Sequence, residues 1–281
     1  GSRSGPDPLL LRVALERDGT ARRAQVRLVD GDGGDVLWSR DLTADSGTLA
    51  ELRELVSTGI VGVVQCGLDR SAVLDDPVGL RLYLGACEGL ETGDVVRAEA
   101  FAQQITRYRP KAVAGWACLA NSSIFAAARD GAVSDDVLAT AERYARQAIA
   151  ADPQSGLAYV ALGMVGRWRG EPVLDIYEQG IRADPDFALL NKHYAYSLGD
   201  AGMAQAAVEP ALRAVALHPH DPQLYQLAIT TLLNAGRKDE ALALAQKMES
   251  RWFYDRGVAR QRLATLTYLD APAPPLPTSN A

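Results

Sequence analysis

Prolines at positions 110, 153, 185 and 219 recur at intervals of 43, 32 and 34 residues, and each closes an apolar helical stretch. Proline has no backbone N–H to donate and its ring clashes with the preceding turn, so each one marks a helix end. A beat near 34 residues points to stacked helix–turn–helix units, each of which buries its apolar face against its neighbours. Arrays of that kind bind or scaffold and seldom catalyse.

The repeat holds position by position. The sixth residue after each proline is bulky, and a small or apolar pair follows it. Pro110 leads to Trp116, Leu119 and Ala120; Pro153 to Tyr159, Leu162 and Gly163; Pro219 to Tyr225, Ala228 and Leu232. Pro185 leads to Asn191, which breaks the aromatic habit while Tyr194, Ala195 and Leu198 keep the packing row. Second helices need small residues where they cross the first, because the axes approach closely there. Ala141, Ala145 and Ala148 supply them in one unit, Ala207, Ala211 and Ala214 in another, and Ala241 and Ala245 in the last. The long interval holds extra residues at Arg129–Val137, where Asp130-Gly131 and Ser134-Asp135-Asp136 read as a long turn with a helix cap.

These positions resemble the tetratricopeptide repeat, and LLNAGRKDEALALAQK at 232–247 looks like its turn and second helix, with Gly236 ending the first helix. The resemblance covers roughly residues 78–255, with 79–110 a weaker first unit carrying Leu82, Ala98 and Pro110. It implies a concave face lined by the first helix of each unit. Ala117, Asn121, Ile124, Val160, Met164, Arg167, Trp168, Lys192, Tyr196, Gln223, Gln226 and Thr230 fall on the inward positions. Asn121, Met164, Arg167, Trp168, Lys192, Tyr196 and Gln226 form the expected binding set. Cations and amides suit a carboxylate or peptide backbone, and aromatics suit apolar side chains.

Before residue 78 the period changes. Leu9, Leu11, Val13 and Leu15 alternate with other residues, Asp18-Gly19 makes a tight turn, and Ala24, Val26 and Leu28 repeat the alternation. Val36 and Trp38 mark a third strand. After Asp45-Ser46, read as a cap, Leu49, Leu52, Val56, Ile60 and Val63 fall at helical spacing. The fold class read from this is an α+β N-terminal subdomain, a three-stranded antiparallel meander plus a helix, followed by an all-α tetratricopeptide-repeat solenoid. The domains are set at 1–70, 71–270 and a Pro-rich tail at 271–281. The run with Leu28-Val29-Asp30, Gly34 and Leu37-Trp38 is similar to the N-terminal domain of TolB, which in that family has a further strand and helix upstream.

That pair of domains resembles the sensor part of CadC-type bacterial transmembrane transcription regulators, and the same pair also follows class III nucleotide cyclase domains. The first resemblance implies a non-catalytic sensory or interaction domain, periplasmic and attached to the inner membrane only through flanking segments. The second implies an adaptor or scaffold, with a cytoplasmic location as the alternative. Partners are then a protein, a peptide or a small-molecule signal, with a homodimer among the arrangements left open. Gly1-Ser2 reads as a cloning remnant, so the chain is expected to be one piece of a longer protein.

A net charge of −6 argues against a nucleic-acid-binding surface in this segment. Its histidines are His193, His218 and His220, and no nucleophile, phosphate-loop or HExxH pattern occurs, so no catalytic residue, metal or cofactor is expected. Three cysteines leave alternatives: three reduced thiols, a Cys66–Cys87 bridge pinning the two domains, or a Cys87–Cys118 bridge between successive repeat helices.

Overall fold

The structure, a computed structural model, describes residues 9–18, 21–31, 34–44, 48–68, 74, 76–252 and 267. The Asp18-Gly19 turn, the Asp45-Ser46 cap and the Pro-rich tail fall wholly or partly outside them. Strands β1 (Leu9–Asp18), β2 (Ala21–Asp30) and β3 (Val36–Ala44) form an antiparallel sheet in the order β1-β2-β3. Helix α1 (Leu49–Leu68) follows, and the Thr48 hydroxyl accepts from the Glu51 amide at 3.2 Å, satisfying one orphan donor of its first turn. Over β2 and part of β3 one sheet face is dry: Ala24, Val26 and Leu28 of β2 and Trp38 of β3 lie against α1 residues Leu52, Val56, Ile60 and Val63.

The remaining helices are α2 (Pro77–Thr92), α3 (Val95–Tyr108), α4 (Val113–Arg129), α5 (Asp135–Ala151), α6 (Gly156–Arg169), α7 (Leu174–Ala183), α8 (Ala188–Asp200), α9 (Ala204–Leu217), α10 (Pro222–Asn234) and α11 (Lys238–Arg251). Pro110, Pro153, Pro185 and Pro219 each stand second after the last residue of α3, α5, α7 and α9 and third before α4, α6, α8 and α10. The beat therefore reports one connector used four times. In two of them the sixth residue bonds backward. The Trp116 indole N–H donates to the Pro110 carbonyl at 2.8 Å, and the Asn191 amide donates to the Pro185 carbonyl at 3.0 Å. Asn191, an exception by type, makes the same bond to its connector as the tryptophan.

The chain divides into two compact units, Gly1–His193 and Tyr194–Ala281, with the division inside α8. In the first unit Leu80 and Leu84 of α2 share the apolar cluster of the sheet. Asp76 caps α2 by accepting from the Gly79 amide at 2.8 Å, and it also accepts from the Tyr108 hydroxyl at 3.0 Å and from Arg109 at 2.7 Å. Burial alone would raise the pKa of Asp76, but these donors and the Arg109 charge hold it below its ordinary value. At the crossings Ala141, Ala145 and Ala148 are wholly buried. The extended turn forms as the spacing predicts: α4 ends at Arg129, Gly131 takes φ 65°, and the Ser134 side chain accepts from the Val137 amide.

In the second unit Ala207, Ala211, Ala214, Ala241 and Ala245 occupy the crossings, and Tyr225, Ile229, Leu232 and Trp252 fill the core around them. Gly236 takes φ 74° just past α10 and lets its last turn close. Pro210 sits in the interior of α9, where it removes one backbone hydrogen bond.

Candidate functional site

The residues expected to line a groove separate into two groups. Ala117, Ile124 and Val160 are fully or almost fully buried, as is Asn121. Asn121 donates from its amide to the Ala117 carbonyl and to the Leu157 carbonyl, each at 2.9 Å, so it ties α4 to the start of α6. Met164 is 9% exposed and packs inside the same unit. These side chains hold first helices together. A sequence position that faces the next repeat does not thereby face water.

The other group reaches the surface. Arg167 and Trp168 lie in the last turn of α6, where a cation offsets the negative end of the helix dipole. Trp168 is 50% exposed, and Arg167 is exposed beside it. Their neighbour Arg169 turns away to pair with Glu142 of α5 at 2.6 Å. Lys192, half-buried on α8, completes the group within the first unit.

Beneath them lies a residue whose sequence context gave it no role beyond the repeat helix. His193 is buried and stacked on Tyr177 of α7, with ring centroids 6.4 Å apart and planes 16° from parallel. Burial pushes its pKa down to about 3, and the charges of Lys192 and Arg167 push in the same direction. The imidazole is therefore neutral at physiological pH. The charges of both cations reach one buried ring, so Arg167 of α6 and Lys192 of α8 belong to one region of the first unit. Cations of this kind suit a carboxylate, and the exposed Trp168, next in sequence to Arg167, offers an apolar surface.

In the second unit Tyr196 is 39% exposed on α8, and Gln226 is half-buried on α10. Two open depressions of about 430 and 400 Å³ also lie there. Gln205, Val208, Glu209, Leu212, Arg213 and Arg237 line the first, and Gly202, Met203, Gln205 and Asn234 line part of the second. Neither contains any residue of the predicted set.

Cys87 is disulfide-bonded, whereas Cys118 is a buried reduced thiol. The Cys87–Cys118 alternative is thereby removed, and the side chain of Cys66 lies outside the described residues. Among the described residues no three His, Cys, Asp or Glu side chains gather as a metal site would require, and no helix is long and apolar enough to cross a membrane.

The structure of TTC0263, a thermophilic TPR protein in Thermus thermophilus, matches this fold with a TM-score of 0.51 at 17% identity, covering 65% of this chain and 95% of that chain. The helical region has the tetratricopeptide fold. Weaker matches include the MamA protein, with a TM-score of 0.40 at 17% identity over 69% of this chain and 97% of its own. Another is YrrB, described as a TPR protein with an unusual peptide-binding site, with a TM-score of 0.41 at 14% identity over 72% and 96%. No protein-family model and no curated protein matches the chain.

Proposed function

We propose that this chain is a non-catalytic interaction domain that takes an extended peptide or protein segment bearing a carboxylate on the Arg167, Trp168 and Lys192 face. The observation that carries the reading is the half-exposed Trp168 next in sequence to Arg167, whose charge, with that of Lys192, reaches the neutral, buried His193. A carboxylate would pair with the cations, and an apolar side chain next to it would cover the indole. The test is capture on a peptide array printed twice, with free and with amidated C-termini. Selective retention on free carboxylates, lost in Arg167→Ala and Lys192→Glu at unchanged melting temperature, supports the reading. Equal retention by wild type and both variants ends it.

We further propose that the domain serves as the sensory part of a bacterial one-component, winged-helix transmembrane transcription regulator and that it lies in the periplasm. The order of a small sheet, one helix and tetratricopeptide-type helices supports this, and so does the disulfide at Cys87, which suits an oxidising compartment. We assign Cys66 as the partner of Cys87, a pairing that would staple α1 to α2. The second reading is an adaptor or scaffold, such as one attached to a class III nucleotide cyclase, and the same repeat architecture supports it. Alkaline phosphatase fused after residue 281 of the full gene product separates the two: activity places the domain outside the cytoplasm, and its absence favours the cytoplasmic adaptor.

A further inference from the structure

Among the described residues, nothing covers one edge of the sheet. On β2, Ala24, Val26 and Leu28 are at most 3% exposed beneath α1. Their cross-strand partners on β1 are Leu15, Val13 and Leu11, which share the same sheet face because directly opposed residues project together. Yet Leu11 and Val13 are each 43% exposed and Leu15 is 62% exposed, and every residue from Leu10 to Arg17 is exposed. The opposite edge differs. Strand β3 turns Ser39, Asp41 and Thr43 outward, and α2 packs against it. A long, apolar edge strand with unpaired backbone groups is a template for another strand.

We propose that β1 pairs antiparallel with β1 of a second copy of this chain, about a two-fold axis through Val13, to give a continuous six-stranded sheet. The register follows from the sequence of the strand. Centred on Val13, each residue opposes the one whose number completes 26. Leu11 then meets Leu15 of the second copy, Val13 meets Val13, and odd positions oppose odd. The apolar face therefore runs across the middle of the seam, with Leu9 opposite Arg17 at its ends, whereas a shift by one residue would set Leu against Arg and Glu. On the other face Leu10 opposes Glu16, and Arg12 opposes Ala14 with Glu16 and Arg12 of the second copy as its diagonal neighbours, the carboxylate within reach of its long side chain. Centring on Arg12 instead would also keep odd opposite odd but would set arginine directly opposite arginine. Apolar continuity thus requires odd opposite odd, the direct arginine clash selects Val13 over Arg12 as the centre, and the interface is isologous, as a two-fold dimer requires.

The test is the oligomeric state of the purified 281-residue chain by light scattering and sedimentation across a concentration series. Wild type is expected to reach twice its 30.1 kDa mass. Val13→Lys sets two ammonium groups on the axis and should leave a folded monomer, with circular dichroism reporting the fold. Arg12→Glu and Glu16→Arg should each weaken the dimer, and the double exchange should restore it. Val13→Cys should cross-link to its copy under mild oxidant, whereas Ala14→Cys, facing Arg12 on the other side of the sheet, should not. A wild-type monomer at every concentration, or a dimer that Val13→Lys leaves intact, overturns the proposal.

Discussion

One methyl group added at Gly89 and the same group added at Gly199 should change stability in opposite directions. In a helix interior, replacing glycine by alanine gains about 0.5–1 kcal/mol, because alanine loses less backbone freedom on folding. At Gly89 on α2 the new Cβ would stand 2.6 Å from the Ala98 amide nitrogen, 2.8 Å from its Cα and 2.9 Å from its Cβ. Those atoms belong to the backbone of α3 and its first side-chain carbon, so no rotamer change relieves the overlap and the two helices must part. Overpacking of this kind costs about 1–3 kcal/mol, and a backbone obstacle sets it at the upper end. Subtracting the propensity gain leaves about 2 kcal/mol of destabilisation. For a chain of this size that corresponds to a fall of about 4–8 °C in Tm. At Gly199 on α8 no heavy atom lies within 4 Å of the added Cβ, so only the propensity gain remains. Its place in the last turn reduces that gain to about half a kcal/mol. Differential scanning calorimetry of the two variants beside wild type is the assay. A Gly89→Ala variant as stable as wild type would refute the close approach of α2 and α3. A destabilised Gly199→Ala variant would refute the open surroundings of Gly199.

Three further outcomes follow from the same structure. Asn121→Leu should cost about 0.5–1.5 kcal/mol in thermal or urea melts, because it removes the hydrogen bond that ties α4 to the Leu157 carbonyl; an unchanged midpoint would show that the α4–α6 tie carries no stability. His193 binds its proton more weakly folded than unfolded, so its contribution is fully present above about pH 6.5 and is lost as pH falls toward 3, at about 1.4 kcal/mol per pH unit. Burial lowers the pKa of His218 as well and adds to the same slope, so His193→Phe should flatten the fall in Tm between about pH 6.5 and 4 without abolishing it, and an unchanged slope would contradict the neutral, buried ring. Alkylation of the denatured, unreduced chain should label one thiol, Cys118, by mass spectrometry; three labels would contradict the bridge at Cys87.

The connectors were legible because proline acts locally: its missing N–H and fixed ring end a helix whatever surrounds it. Alanine crossings were legible for a similar reason, since only small side chains fit where axes approach. Exposure was not legible, because it depends on which neighbour covers a face. Asn121 and Arg167 both fall on inward positions of the repeat, yet one is sealed between α4 and α6 and the other is exposed in the final turn of α6. The alternation in β1 identified its apolar face but gave no sign that α1 would leave that face bare. His193 carries no partner pattern in the sequence; its significance lies in Arg167 and Lys192, and only the fold brings Arg167 near it. Pro210 shows the limit of local grammar. Tertiary packing holds a helix together around a residue that would break it in isolation.

The account rests on the Arg167, Trp168 and Lys192 face as the place where a partner is held. Photo-crosslinking from that face tests it most directly, with p-benzoylphenylalanine placed at position 168 and, as control, at the exposed position 100 on α3, in the full gene product in cells. The account predicts a discrete adduct from position 168 that disappears when Lys192→Glu is added, and none from position 100. Equal adducts from both positions, or an adduct from 168 indifferent to Lys192→Glu, would contradict it.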